Sequence, residues 1–388
     1  MNNDTADLIR EFAEQCRKRI NEFDKAKVKC GLIGPAGSGK SSLINAIAGE
    51  RIAPTSVVEC TGLDHEGVAH TSFEPQEFTH KGLTLVDLPG CGTKNWPKDS
   101  YIQKLHLPDY DCFILITAHR FTENDVFLFQ QLSTRGKPCF VVRNMFDKAV
   151  DDGMFDHNHT ESETREIITK NIRQNLGDSC PKRIYLTSAR HPARYDLTVL
   201  LDDISGALEG LKRQRFVADM AAYSDGALKK KRKVATDRIP LYAGLSAANG
   251  LNPIPGLDIA ADIGVLLQMA AEVTHIYGLT SNQFEYIKRL LGPKAVPGLL
   301  AKLAQFAAKY LAKEGIILLL KRIATRAATK TASKWIPFVG PLIAAGIGWQ
   351  STFMLAEQLI DEAEALAREI LENVLKGTDL PDGDCPSA

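Results

Sequence analysis

The sequence predicts an α/β domain on a mostly parallel sheet, set between an N-terminal helix and a C-terminal all-α domain. Three observations carry this. Short apolar runs at Val28–Ile33, Leu83–Val86, Cys112–Thr117, Phe140–Val142 and Ile184–Leu186 alternate with helix-periodic or polar stretches, the order that crossover helices impose on parallel strands. Leu8, Phe12, Cys16, Ile20 and Phe23 recur every three or four residues, which makes 5–25 an amphipathic helix. Beyond about residue 210 no strand-like run follows, and residues 216–388 are rich in Ala and Leu with Gly and Pro as punctuation. The expected limits are 1–26 for the N-terminal helical segment, 27–212 for the sheet domain and 213–388 for the helical domain.

The 388 residues are 44% hydrophobic and 24% charged, enough to bury a sizeable core. Lys and Arg total 47, as do Asp and Glu, so a global attraction to nucleic acid is excluded. Eight cysteines with no C-x-x-C pair make neither a disulfide scaffold nor a zinc site and point to a reducing compartment. The opening Met-Asn-Asn-Asp has no basic-then-apolar stretch and no Gly at position 2, so neither a secretory signal nor myristoylation is expected. A cytoplasmic chain is the expectation.

Residues Gly34-Pro35-Ala36-Gly37-Ser38-Gly39-Lys40-Ser41 fit G-x-x-x-x-G-K-[ST] without mismatch, between an apolar strand and a helical stretch, Ser42–Ala48. Glycines let the backbone curl with N–H groups inward, and the following helix adds its positive end. Gly34, Gly37, Ser38, Gly39, Lys40, Ser41 and Ser42 are therefore the candidate phosphate contacts. Lys40 would neutralise β- and γ-phosphate charge, and the Ser41 hydroxyl would ligate Mg²⁺.

Further elements follow in order. Asp87-Leu88-Pro89-Gly90 fits D-x-x-G at a strand end, with Asp87 holding Mg²⁺ through water and the Gly90 N–H reaching the γ-phosphate. Asn144-Met145-Phe146-Asp147 stands where guanine-specific proteins carry N-K-x-D. The Asp147 carboxylate can accept from guanine N1–H and N2–H₂, a donor pair that adenine lacks. Met145 loses the lysine's charge but keeps a flexible stem able to lie on the base. Ser188-Ala189 matches the loop that meets guanine O6.

These residues resemble the immunity-related GTPases, also called interferon-inducible GTPases, which are dynamin-like in behaviour. The likeness includes residues 35–46, Ala-Pro-Thr-Ser-Val-Val-Glu-Cys-Thr at 53–61 and Asp-Leu-Pro-Gly-Cys-Gly-Thr at 87–93. Leu-Asn-Pro-Ile-Pro-Gly-Leu-Asp-Ile-Ala-Ala-Asp at 251–262 and Trp-Ile-Pro-Phe-Val-Gly at 335–340 lie outside generic GTPase motifs and are the most specific pieces. Lys40 places the chain with members that keep the phosphate-loop lysine. Asn144-Met145 departs from the usual Thr-Lys, which touches guanine affinity more than guanine identity. The resemblance implies a Ras-like P-loop GTPase domain with a bipartite helical domain. It also implies nucleotide-dependent homodimers and higher oligomers, peripheral to intracellular membranes and typically to those around pathogens.

The position after Asp-Leu-Pro-Gly is Cys91, not the Gln that orients water in Ras-like enzymes. Thr55 and Thr61 are the candidate switch ligands of Mg²⁺, and Glu59 between them can position water, directly or across a dimer. Lys40, Glu59 and Thr61 are thus the candidate catalytic residues, with hydrolysis slow alone and accelerated by assembly. The rival readings are a GTP-binding scaffold with negligible hydrolysis and an ATP-driven membrane remodeller.

From Lys294 to Lys334 nine Lys and Arg face one acid, Glu314. Arg322, Arg326, Lys330 and Lys334 stand four apart, with Leu299, Leu303, Phe306, Tyr310, Ile317 and Leu320 opposite. This reads as a basic amphipathic helix suited to anionic lipid or as a solvated face. Residues 335–356 carry no charge, but Pro337, Gly340, Pro341, Gly346 and Gly348 favour a buried hairpin or membrane-dipping segment over a spanning helix. Residues 257–272 read as a core helix. Lys229–Lys233 should fan around a helix rather than bind nucleic acid, and no aromatics interleave. Asp151, Asp156, His157 and His159 read as a polar surface loop, not a metal site. Cys385, with Pro386 and Ser387 behind it, is a poor prenylation signal.

Overall fold

The computed structural model describes residues 3–55, 62–63, 69–70, 74–93, 95–118, 121–249, 257–330 and 340–378. Contacts divide the chain into two units. One comprises Met1–Ala26, Asp225–Phe284 and Leu291–Asn373; the other is built on Lys27–Ser224 with Glu285–Leu290 and the end of the chain from Val374.

The second unit contains the sheet. After helix α1 (Asn3–Lys25), strands β1 (Val28–Ile33), β4 (Gln76–His80), β5 (Leu83–Leu88), β6 (Cys112–Thr117), β7 (Cys139–Arg143) and β8 (Ile184–Leu186) pair in the order β4-β5-β1-β6-β7-β8. All neighbours are parallel except β4 and β5. Two short strands, β2 (Gly62–Leu63) and β3 (Ala69–His70), form a separate pair. The five predicted strands are present, because each is an apolar run buried on both faces of a parallel sheet. β4, Gln-Glu-Phe-Thr-His, was not predicted: it is a polar, largely exposed edge strand.

Helices α2 (Lys40–Ala48), α3 (Lys98–Lys104), α4 (Glu123–Thr134), α5 (Phe146–His157), α6 (Glu161–Leu176), α7 (Leu197–Ala207) and α8 (Gly210–Asp219) connect the strands or follow them. One core joins Val86, Phe113, Leu115 and Val141 of the sheet to Tyr101, Leu128, Leu132 and Ile172 of the helices. Asp151–His157, expected in a loop, belongs to α5, which closes at Asn158 in the left-handed conformation. No group of three side chains able to hold a metal occurs among the described residues.

The other unit is helical, with α1, α9 (Asp225–Asn249), α10 (Leu257–Ile276), α12 (Val296–Tyr310), α13 (Lys313–Lys330) and most of α14 (Gly340–Thr378); α11 (Ser281–Ile287) lies between α10 and α12. Among the described residues no strand follows β8. Cys16, Ile20 and Phe23 are buried as the α1 period requires, whereas Leu8 and Phe12 of the same period are exposed, and Arg238 of α9 stacks 3.9 Å from the Phe23 ring centre. α10 buries Leu266, Met269, Ala270 and Val273, in keeping with a core helix.

The basic stretch differs from expectation. It is two helices with a corner at Leu311–Ala312, and α13 buries Ile316 and Leu319 while Ile317 and Leu320 are only half-buried. Lys302 and Lys309 bond Glu369 and Glu362 of α14 at 2.7 and 2.5 Å. Gly346 and Gly348 lie inside α14 rather than breaking it, and Pro341 sits in its first turn, where no intrahelical N–H is needed. Within 229–233 the side chains do fan out: Lys231 is buried and bonds the Ile276 carbonyl, while Arg232 reaches Asp361 and Glu364. Residues 331–339 and Cys385 lie outside the described residues, and no described helix is long and apolar enough to cross a membrane.

The limit expected at 212/213 falls inside α8, and the second half of that helix fastens to the sheet. Asp219, with no exposed surface, accepts from Gly82 N in the β4–β5 turn at 2.8 Å and from Arg215 Nε at 2.6 Å. Asp219→Ala removes the carboxylate that neutralises a buried guanidinium. Denaturant unfolding should show a loss of about 3–5 kcal/mol; a change within the scatter of a surface mutation would mean the pair contributes nothing net.

Candidate nucleotide-binding site

Every strand that leads into the candidate site does so at its carboxyl end, and β1 is the point where the strand order reverses, with β5 on one side and β6 on the other. Open α/β sheets hold ligands at such a crevice. Loop 34–39 leaves β1 at Ile33 and enters α2 at Lys40, so rigid elements fix both ends. A Cβ on Gly34 would stand 2.3 Å from the Ile116 carbonyl oxygen at the end of β6. Gly39, at φ 80°, would place one 2.5 Å from Asn144 Nδ2. Neither position admits a side chain.

Lys40 opens α2, and its ammonium donates to the Gly34 and Pro35 carbonyls at 2.9 and 3.1 Å. It also stands 3.6 Å from the Asp87 carboxylate on β5. Burial raises the Asp87 pKa above the usual carboxylate value, and Lys40 partly opposes that shift. Gly90 brings its backbone against the loop: a Cβ on it would lie 3.6 Å from Gly34 O. Ser41 and Ser42 are half-buried in the first turn of α2, and Ser38 Oγ is buried without a protein partner.

Asn144 joins this half of the site to the base side. Its Nδ2 donates to Ser38 O at 3.0 Å and Gly39 O at 3.3 Å, and its Oδ1 accepts from Thr187 Oγ1 at 3.2 Å. Met145 caps α5 with φ 55°, and its terminal methyl comes within 3.1 Å of where a Gly39 Cβ would stand. The stem expected to lie on the base therefore reaches the phosphate loop. Asp147 is half-buried in the first turn of α5, next to Phe146, which is fully buried 5.1 Å from the Tyr195 ring. Ser188 Oγ accepts from Arg190 N and His191 N at 3.2 and 3.3 Å, which fixes the turn that carries half-buried Ala189.

Cys91 packs against the apolar cluster around Tyr101, its carbonyl accepts from Asn124 Nδ2 at 3.2 Å, and burial raises its thiol pKa. A neutral thiol on an apolar cluster is a weak water acceptor. Thr55 is exposed, while Glu59 and Thr61 lie outside the described residues. Thr187, which the sequence places beside Ser188-Ala189 without a role, orients Asn144, and Asn45 on α2, not singled out from the sequence, bonds the backbone of Ile52 and Ala53. The available signal for Asn45 was a lone amide inside the apolar run Leu43–Ala48.

The interferon-inducible GTPase family model matches residues 5–373. The chain belongs to this family. It is 29% identical over 286 residues to interferon-inducible GTPase 1 of Mus musculus, covering 70% of this chain and 66% of that protein. To interferon-inducible GTPase 5 of Bos taurus it is 25% identical over 373 residues, covering 93% and 78%. Among solved structures it is similar to the FeoB G-domain from Methanococcus jannaschii, at 20% identity, 47% and 98% coverage and a TM-score of 0.28. It is also similar to a chain of an oligomerised bacterial dynamin pair, at 12% identity, 97% and 78% coverage and a TM-score of 0.33.

Asn144→Ala would leave the Ser38 and Gly39 carbonyls and the Thr187 hydroxyl without the amide. Calorimetric GDP affinity should fall by about 1–3 kcal/mol, roughly 5–150-fold, with the far-UV circular dichroism unchanged. Wild-type affinity in the variant would show that the loop keeps its shape unaided.

Proposed function

We propose that the chain binds GTP and hydrolyses it to GDP and phosphate, and that nucleotide-dependent self-assembly on intracellular or pathogen-containing membranes serves innate defence. The observation that carries this reading is the Asn144 brace, which sets a phosphate loop beside Asp147. Gly34, Gly37, Ser38, Gly39, Lys40, Ser41, Ser42 and Gly90 would meet the phosphates. Asn144, Asp147, Ser188 and Ala189 would recognise guanine.

Ser41, Asp87 and Thr55 or Thr61 offer hard oxygen donors, which suit Mg²⁺, and the half-buried Asp87 carboxylate with one cation at 3.6 Å fits a further positive charge. When bound, Mg²⁺ would offset charge building up on the β- and γ-phosphate oxygens. Water attacks the γ-phosphorus in line, the bond to the β-phosphate oxygen breaks, and GDP and phosphate leave. Lys40 stabilises the transferred group. Because Cys91 offers little to orient water, Glu59 and a second copy are assigned that task. The placement of Cys91 equally favours the rival reading, a GTP-binding scaffold with negligible hydrolysis. Membrane contact is assigned to the basic helical domain, where Lys313, Lys321 and Arg322 are exposed near exposed Leu318.

GTP turnover per molecule, followed across a protein concentration series with Lys40→Ala as the blank, should climb with concentration, and anionic vesicles should move the rise to lower protein. Turnover equal to the blank throughout, with GTP still bound, would select the scaffold. Asp147→Asn should shift preference from guanine toward xanthine nucleotides in a competition assay. An unaltered order of GTP, ATP and XTP would remove Asp147 from base recognition.

A further inference from the structure

Asn45 sits in the second turn of α2, 3% exposed, among buried Leu43, Ile44, Ala46, Ile47 and Ala48. An amide in such a place is costly unless its hydrogen bonds are made. They all go to one short stretch of backbone. Oδ1 accepts from Ile52 N and Ala53 N, each at 2.8 Å, and Nδ2 donates to Ala53 O at 2.9 Å. The chain reverses at Gly49, in the left-handed conformation at φ 64°. The N–H groups of Gly49 and Glu50 both donate to the carbonyl of Asn45 itself. One residue, through backbone and side chain, therefore holds the whole return of the chain from the end of α2. That helix starts at Lys40 and Ser41, and Thr55 lies two residues past Ala53, within about 7 Å of chain.

We propose that Asn45 is a positioning residue: it ties the segment carrying Thr55 to the helix carrying Lys40 and Ser41, and so favours a Mg²⁺-bound triphosphate over a diphosphate. The inference rests on the GTP reading above and selects Thr55 as the switch ligand. Asn45 touches no nucleotide and acts only through Thr55. A purely structural role would lower GDP and GTP affinity alike.

The test measures binding of GDP and a non-hydrolysable GTP analogue to the full chain, with and without Mg²⁺, for wild type, Asn45→Ala and Asn45→Asp. In Mg²⁺, Asn45→Ala should weaken the GTP analogue about tenfold, ~1.4 kcal/mol, while GDP affinity changes less than about twofold. Removing Mg²⁺ should abolish the difference. Asn45→Asp keeps the one oxygen that accepts from Ile52 N and Ala53 N, and replaces the donor to Ala53 O with a carboxylate oxygen. It should restore most of the discrimination, leaving a loss of about two- to threefold. If Asn45→Ala does not fold, Asn45→Asp decides alone by that smaller loss. Equal losses for both nucleotides, or an unaltered ratio, overturn the proposal while the GTP reading stands. A wild type that binds neither nucleotide sinks both.

Discussion

The amide of Asn144 is held by groups that leave it one orientation. The Ser38 and Gly39 carbonyls can only accept, so Nδ2 must face them, and Thr187 is left to donate to Oδ1. A phosphate loop works when its N–H groups converge, and its carbonyls must then point elsewhere and find partners. Asn144 supplies those partners from the end of β7, a strand that does not touch β1. The left-handed Gly39 and the adjoining Met145 follow from the same constraint, because a side chain at 39 would occupy the space the amide fills. The groups proposed for base recognition and for phosphate contact are thus joined through one buried side chain, three residues before Asp147.

The helix behind the loop extends this arrangement. α2 has nine residues, about 13 Å, and carries the phosphate lysine at one end. At the other end its last carbonyls are taken one by one. Gly49 and Glu50 cap Asn45 O, Tyr223 Oη donates to Ala46 O at 2.8 Å, and Ala221 N donates to Ile47 O at 2.8 Å. A short helix is marginal alone, so its position must come from tertiary bonds of this kind. The segment 221–223 therefore fixes the rear of the element whose front carries the proposed phosphate contacts.

What could be read from the sequence follows from how local each signal is. The parallel strands announced themselves as continuous apolar runs, and the phosphate loop, Asp87-Gly90 and Asn144-Asp147 are spacings imposed by backbone geometry over a few residues. β4 gave no such signal, because an edge strand with one solvated face needs neither apolar continuity nor bulk. Asp151–His157 looked like a loop because of its acids and Gly153, yet helix ends are set by caps, and the stop lies at Asn158. Lys294–Lys334 read as one amphipathic helix since a corner at Leu311–Ala312 leaves the apolar spacing nearly intact. Asn45 is visible as a lone amide in an apolar run, but its role was out of reach for a different reason. Its partners lie past a chain reversal, and no spacing rule records a side chain that binds the backbone seven and eight residues on.

Charge in the helical unit bears directly on the membrane reading. The chain is neutral overall, yet two cations of its basic stretch meet acids on α14, Lys302 with Glu369 and Lys309 with Glu362, and Arg232 of α9 meets Asp361 and Glu364 of the same helix. Exposed pairs of this kind add about 0–1 kcal/mol each to stability, but they occupy cations that would otherwise face lipid. A cation near an anionic surface gains about 1 kcal/mol, so pairing Lys302 and Lys309 with acids takes up to roughly 2 kcal/mol from what the stretch could deliver. Single-copy attraction becomes correspondingly weak. Linking copies converts each later contact into an intramolecular one and raises avidity without any new contact. Under the proposed function, the internal pairing of this unit makes membrane residence depend on assembly, and assembly in turn depends on the nucleotide.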